Sequence, residues 1–188
     1  MRGNLAFRIQ TLGASLALAL TATACSGGST GDAGPLPDQI RGLPLMEERS
    51  GDDAAETIAQ MHGQGVAPDE SWVGFYQSGD VVARLYVSRF GSPTESGEQL
   101  TAMSNRIGSG SSGFGHHGTF LVADNQIHIV FGHGLVHYFY TEEQDLVWLS
   151  VNGDLARSAL AEVLETEVDS IPTFQEIVQG REAAPEAS

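Results

Sequence analysis

The sequence predicts a single α+β domain with an antiparallel sheet of about six strands and helices packed mainly on one face. Short segments rich in β-branched and aromatic residues follow one another with tight-turn sequences between them. Helical patterns stand before, between and after these segments. This order of elements is typical of an antiparallel sheet that buries one face against helices.

The first predicted elements are a helix and a β-hairpin. The helix is expected from about Asp53 to His62, and strand-forming side chains follow at residues 71–77. Ser78-Gly79 has the composition of a two-residue turn, which pairs Gln77 with Asp80. In this register one face of the hairpin carries Trp72, Gly74, Tyr76, Val81, Ala83, Leu85 and Val87.

A second helix has clear start signals. Ser92 can cap it, Pro93 suits the first helical position and Glu95 completes a capping box. Apolar residues then recur at helical spacing as far as Ile107. The Gly/Ser-rich residues 108–115 end this helix, and we expect them to be a connector, with a lid over a site as the alternative.

Residues 116–151 predict a four-strand antiparallel meander. The turns are expected at Asp124-Asn125, at Gly132-His133-Gly134 and at 142–145, and the middle turn pairs Phe131 with Leu135. One face of the meander would then carry Phe120, Val122, Ile127, Ile129, Phe131, Leu135, His137, Phe139, Leu146, Trp148 and Ser150. The other face would carry Leu121, His128, Val130, Val136, Tyr138, Tyr140, Val147, Leu149 and Val151.

Two more helices are expected after the meander, one at 154–165 and a short one after Pro172. The hairpin, the meander and the helices together predict one domain at residues 39–179. Residues 180–188 have the composition of a disordered tail.

The N-terminus has the pattern of an export signal. Arg2 and Arg8 precede an apolar run, small residues follow, and Cys25 then opens a Gly/Ser-rich stretch. The stretch Thr21-Ala22-Thr23-Ala24-Cys25 resembles the lipobox of bacterial lipoproteins. The resemblance implies a diacylglycerol on the Cys25 thiol and cleavage of the signal just before it. The alternative is a plain secretory signal.

This resemblance predicts the organisation of the N-terminal part and the location of the protein. We expect a signal peptide at 1–24, and a lipidated N-terminus with a flexible linker at 25–38. The acylated Cys25 would hold the domain at the extracytoplasmic face of the cell membrane, with membrane lipid as its partner.

Charge and composition exclude several functions. The chain has 9 arginines and no lysine, 24 acidic residues and a net charge of −15. Such a balance disfavours a nucleic-acid partner. The absence of lysine excludes a Walker A phosphate loop, a Schiff-base lysine and a Ser–Lys pair. Since Cys25 is the single cysteine, the domain has no internal disulfide.

The first candidate site is a partly polar face of the sheet. Water-facing strands normally alternate with polar residues, but this face mixes arginine and histidine with aromatic side chains. Arg84 among aromatic rings would suit an acidic group or a cation–π contact. Either the face binds a protein or a small molecule, or a second layer covers it. The candidate residues are Arg84, Tyr86, His128, Tyr138 and Tyr140.

The second candidate site is a histidine cluster. His116, His117 and His133 would gather at one end of the sheet in the predicted register. Three converging imidazoles can bind zinc or copper. The alternative is a set of ordinary loop and strand-end histidines.

No assembled catalytic motif is present in the sequence. We therefore expect a non-enzymatic lipoprotein that needs no cofactor and binds a ligand or a protein. One alternative is a metal-binding lipoprotein that uses the histidine cluster. Another is a cell-envelope hydrolase, which predicts a pocket with a histidine within hydrogen-bond reach of a serine and a carboxylate.

Overall fold

The computed structural model describes residues 34–62, 67–110 and 112–182. The predicted signal peptide, Cys25 and most of the predicted linker lie outside these residues. The strands are β1 (Gln39–Ile40), β2 (Leu43–Ser50), β3 (Glu70–Ser78), β4 (Val81–Arg89), β5 (Gly115–Val122), β6 (Asn125–Gly132), β7 (Leu135–Glu142) and β8 (Asp145–Val151). The helices are α1 (Gly51–His62), α2 (Pro93–Gly108), α3 (Ala156–Val163) and α4 (Phe174–Glu182). Helices long and apolar enough to cross a membrane are absent from the described ranges.

The strands form one antiparallel sheet in the order β1-β2-β3-β4-β8-β7-β6-β5. The first four strands follow one another, α2 carries the chain to the opposite edge, and the meander returns until β8 pairs with β4. The prediction of an α+β domain with an antiparallel sheet is confirmed. The sheet has eight strands rather than about six, because β1 and β2 were not predicted. Because β2 contains Pro44 and a run of exposed residues, its sequence lacks the alternation of apolar and polar residues that marks a strand.

Helices cover both faces of the sheet, so the prediction that they pack mainly on one face was wrong. On one side, which we call the α1/α2 face, Ala54, Ile58 and Ile107 pack on the sheet. On the other side, the α3/α4 face, Leu160 and Ile177 do so. Both sides of the central strands carry large apolar residues, and each side therefore needs a cover.

Two of the predicted turns are displaced by one residue, and a third is one residue shorter than predicted. The β3–β4 turn is Gly79-Asp80 instead of Ser78-Gly79, so Ser78 pairs with Val81. The β5–β6 turn is Ala123-Asp124. Both changes move the pairing by two residues, and the side chains stay on their predicted faces.

The β6–β7 turn changes the faces. His133 and Gly134 form a two-residue turn with φ of 53° and 77°, and Gly132 pairs with Leu135. The pairing of β6 with β7 therefore differs from the predicted one by a single residue. As a result, each β6 side chain lies on the opposite face, relative to β7, from the one predicted. His128 and Val130 share a face with His137 and Phe139, not with Tyr138 and Tyr140.

The termini of the domain extend beyond the predicted bounds. The backbone of Gly34 lies against the Trp72 indole, and the carbonyl of Pro37 accepts a hydrogen bond of 3.0 Å from the Tyr76 hydroxyl. The last residues of the predicted linker thus pack on the domain. At the other end α4 continues to Glu182, inside the predicted tail.

The start of α2 is as predicted. Ser92 Oγ accepts a hydrogen bond of 3.3 Å from the Glu95 N–H, and Pro93 is the first helical residue. The Glu95 carboxylate accepts from the Gly91 N–H at 3.0 Å. The buried Ser96 hydroxyl also contacts the Glu143 carbonyl at 3.0 Å, which joins α2 to the β7–β8 turn. This contact fixes the N-terminal end of α2 over the α1/α2 face.

Candidate functional site

Four flat rings stack across neighbouring strands on the α1/α2 face. We call His117, His128, Phe139 and Trp148 the ring stack. Successive ring centroids are 5.3, 4.7 and 5.0 Å apart, with interplanar angles of 19°, 21° and 13°. This spacing is close to the distance of about 4.8 Å between neighbouring strands, because each ring comes from a different strand.

The imidazole end of the ring stack is hydrogen-bonded. His117 Nε2 lies 3.0 Å from His128 Nδ1, and Ser104 Oγ of α2 lies 3.4 Å from the same nitrogen. Burial, and secondarily the charge of His117, lowers the pKa of His128 to about 4. His128 is therefore neutral at pH 7.

A second chain of hydrogen bonds lies beside the other end of the stack. His137 Nε2 lies 3.0 Å from the Gly132 carbonyl, which can only accept, so this nitrogen carries the proton. His137 Nδ1 consequently accepts from Ser150 Oγ at 2.9 Å. Ser150 Oγ in turn accepts from the Trp148 indole N–H at 2.9 Å. The chain fixes the orientation of all three side chains.

This series of hydrogen bonds includes His137 and Ser150, the Ser–His pair that comes closest to the arrangement expected of a hydrolase. Both His137 and Ser150 are about 95% buried, and the pKa of His137 is lowered by burial. In the described part of the chain, no carboxylate is a partner of His137. The arrangement therefore differs from the Ser-His-carboxylate set that the hypothesis requires.

Phe114, from the Gly/Ser-rich connection after α2, packs over this hydrogen-bonded chain. Its ring centroid lies 4.9 Å from that of His137, 5.5 Å from Trp148 and 5.5 Å from His133. A Cβ at Gly132 would lie 2.5 Å from the Phe114 ring, so the absence of a side chain there lets the ring approach the sheet.

Arg84 lies next to this region on β4. It pairs with Ser150 across the β4–β8 ladder, and its side chain is exposed. Its guanidinium lies 5.9 Å from the centre of the half-buried Phe75 ring, and Arg49 approaches the same ring to 5.0 Å. Within the described residues, Arg84 forms no ion pair with a carboxylate, and its side chain is hydrogen-bonded to that of Tyr86.

These side chains form the best candidate binding site. We call Arg84, Phe75, Ser150, His137 and Phe114 the Arg84 site. Helix α1 contacts β2 and β3, and α2 contacts β7 and β8, so β4 runs between the two helices on this face. The site thus has an exposed cation, a neutral hydrogen-bonded floor and aromatic rings on two sides. It can hold an acidic group next to an apolar or planar one.

The five residues predicted to form a binding surface divide between the two faces. Arg84, Tyr86 and His128 lie on the α1/α2 face, where Tyr86 and His128 are buried. Burial raises the pKa of Tyr86, although Arg84 and Arg49 partly offset this rise. Tyr138 and Tyr140 are buried on the α3/α4 face, where burial raises the pKa of Tyr138 to about 12. The one-residue difference at the β6–β7 turn separates His128 from Tyr138 and Tyr140. The β4–β8 pairing places Arg84 and Tyr86 on the same face as His128.

The three histidines of the predicted cluster point to different neighbours. Strand β5 is irregular between Gly115 and Gly118, and His116 has a φ of 54° there. His116 contacts Phe131, whereas His117 joins the ring stack and His133 contacts Phe114. Across the described ranges, no three His, Cys, Asp or Glu side chains are grouped to hold a metal ion.

An open pocket of about 410 Å³ lies behind Phe114, between the end of α2 and the start of β5. The residues that line it are Ile107, Gly108, Gly110, Phe114, Gly115, His116 and His117. Its volume is within the range of small-molecule sites. Phe114 lines this pocket and also contacts His137 and Trp148 of the Arg84 region.

Sequence reasoning missed Phe114 and the role of the floor. His137, Trp148 and Ser150 were placed together on one predicted face, and that grouping is correct. No periodic pattern marks Phe114, because it follows a Gly/Ser run. The usable signal was that it is the only large apolar residue between Ile107 and Phe120.

In comparisons with known proteins, no family model, no curated protein and no solved structure matches this chain.

Proposed function

We propose that this chain is an extracytoplasmic lipoprotein whose α+β domain binds a small ligand that carries an acidic group at the Arg84 site. The observation that carries the proposal is the exposed Arg84 guanidinium, which has no carboxylate partner among the described residues although the chain has 24 acidic residues. A guanidinium in this state is suited to bind a carboxylate or a phosphate through two parallel hydrogen bonds.

The contrast with the neighbouring arginines supports this proposal. Arg41 lies 3.6 Å from Glu162, Arg49 lies 2.7 Å from Glu47, and Arg89 lies 2.8 Å from Asp145. Arg157 donates to the carbonyl groups of Ile171 and Val168. Among the described residues, these four arginines have carboxylate or carbonyl acceptors, whereas the hydrogen bond of Arg84 is with the Tyr86 side chain.

The surroundings of Arg84 favour a ligand that is more than a bare anion. Phe75 provides a ring beside the guanidinium, and the His137–Ser150 chain provides a rigid, uncharged floor. An acidic group would be held by Arg84, while the remainder of a small molecule would contact the rings. The metal-binding and hydrolase alternatives have no comparable support from the residues described above.

The lipid tether is supported by the lipobox-like segment that ends at Cys25 and by the Gly/Ser-rich stretch behind it. Two or more acyl chains at Cys25 would anchor the protein stably. Replacement of Cys25 by alanine should release the protein from membranes or leave it unprocessed. Unchanged fractionation, together with a native N-terminal peptide that lacks the mass of a lipid, would refute the tether.

The binding proposal is tested with matched acids and amides. The full-length chain, purified from membranes in detergent, is titrated with hexanoate, hexanamide, 3-phenylpropionate and 3-phenylpropanamide while NMR shifts are recorded. We expect both acids to bind more tightly than their amides, and Arg84→Gln to abolish this preference. Arg41→Gln is the control, since it removes the same charge at the exposed Glu162 pair. Equal binding of acids and amides, or a preference that survives Arg84→Gln, would refute the proposal.

A further inference from the structure

The position of Phe114 points to the chemical class of the ligand. Its ring is half-buried and meets three other rings, although it comes from a connection that belongs to no helix or strand. The floor beneath it, from Trp148 through Ser150 to His137 and the Gly132 carbonyl, forms its hydrogen bonds without any contribution from Phe114. The floor is therefore shaped by the sheet and does not depend on the ring above it.

The place that Phe114 fills adjoins the Arg84 guanidinium. Phe114 contacts His137 and Trp148, and both of these side chains are hydrogen-bonded to Ser150, the β8 partner of Arg84. Neighbouring strands are about 4.8 Å apart, so a small ligand with a few linking atoms can reach from the Phe114 ring position to the Arg84 guanidinium. The positive charge of Arg84 also helps to lower the pKa of His137, as expected for two groups this close.

Space is also available for Phe114 outside its observed position. The pocket of about 410 Å³ behind it is lined in part by Phe114 itself and by His116. The backbone φ values of Gly110 and Gly113 are 76° and 78°, which glycine adopts with little strain. A rotation of the Phe114 side chain can therefore move the ring from the floor towards this pocket.

We propose that the ligand is an aromatic carboxylate, whose acidic group binds Arg84 and whose ring takes the position that Phe114 occupies in the ligand-free protein. This inference rests on the proposed function, because it names the ligand class of the same site. The Phe114 ring is thus an internal competitor. The ligand ring can bind only to molecules in which Phe114 has left this position. The apparent affinity is therefore the intrinsic affinity multiplied by the fraction of such molecules.

The first experiment compares two acids in wild-type protein and in Phe114→Ala. We expect the substitution to raise the affinity for 3-phenylpropionate by about tenfold or more, since the competitor is removed. The affinity for hexanoate, which has no ring, should change by less than about threefold. Phe174→Ala is the matched control, because it removes an exposed phenylalanine ring on the α3/α4 face. An unchanged or lower affinity for 3-phenylpropionate in Phe114→Ala would overturn the inference.

A second measurement uses only the wild-type chain, and it decides the matter if Phe114→Ala does not fold. The Phe114 ring lies near the Trp148 indole, so a nuclear Overhauser contact is expected in the free protein. Saturation with 3-phenylpropionate should abolish this contact. If the contact persists while acids still bind through Arg84, the proposed function stands and the present inference fails. If neither acid binds the wild-type chain or Phe114→Ala, both fail.

Discussion

Both faces of the sheet bury aromatic side chains, but they differ in the polar side chains that they bury. The α3/α4 face is a continuous apolar core, with Leu85, Leu149 and Leu160 almost fully buried. The α1/α2 face instead buries two histidines and several serines, and His128, His137 and Ser150 form hydrogen bonds within the face. The buried Ser71 hydroxyl on the same face has no partner among the described residues. We infer that the first face supplies most of the stability and the second holds a polar site in a fixed geometry.

The largest expected effect is on the α3/α4 face. Leu160→Ala removes a fully buried side chain of α3 and should lower the free energy of unfolding by about 2–5 kcal/mol. Urea unfolding of both proteins measures this change. Leu121→Ala is the control, because that side chain is 69% exposed and its loss should change the value by less than about 0.5 kcal/mol. Equal effects of the two substitutions would contradict the assignment of the core.

A smaller effect is expected on the α1/α2 face. Ser150→Ala leaves His137 Nδ1 without its hydroxyl donor and leaves the Trp148 N–H with a longer contact of 3.3 Å to that nitrogen. The free energy of unfolding should fall by about 1–3 kcal/mol. Ser78→Ala, at an exposed position, should have almost no effect. An unchanged free energy of unfolding in Ser150→Ala would show that this series of hydrogen bonds contributes no stability.

The smallest effect is a dependence on pH that arises from the ring stack. The pKa of His128 in the folded protein, about 4, lies below its ordinary value of 6.5. The unfolded chain therefore binds more protons between these values, and stability is complete above pH 6.5 and decreases as the pH falls towards 4. Between pH 7 and pH 6 this group should account for about 0.7 kcal/mol.

His128→Gln should remove this part of the pH dependence, and urea unfolding at several pH values measures it. His116→Gln is the comparison, since His116 is exposed and contributes to the lowered pKa of neither His128 nor His137. A wild-type slope that persists unchanged in His128→Gln would locate the titration elsewhere. His137, whose pKa is also lowered by burial, adds to the slope in both variants.

Local signals were sufficient to predict the four helices and six of the eight strands, but not the way in which they combine. Ser92, Pro93 and Glu95 marked the start of α2 because capping depends on neighbouring residues only. The β6–β7 register depended on whether Gly132 belongs to the turn, and a turn of either length suits Gly132-His133-Gly134. That single choice placed His128 on the face opposite to Tyr138 and Tyr140.

The candidate site was only partly predictable for a similar reason. Arg84 was singled out because a cation among aromatic residues is visible in the sequence. Its proximity to Ser150 depends on the pairing of β4 with β8, which brings together residues far apart in the chain. Phe114 reaches the site through an irregular connection, and no periodic pattern records such a contact.

The most direct test of the central claim is to measure stability and binding together in Arg84→Gln. The Arg84 side chain is exposed and has no ion pair among the described residues, so the free energy of unfolding should change by less than about 0.5 kcal/mol. The affinity for 3-phenylpropionate should fall by about tenfold or more, as expected for loss of a charge-assisted contact. A variant that keeps its affinity for this acid, or that loses stability instead, would contradict the account.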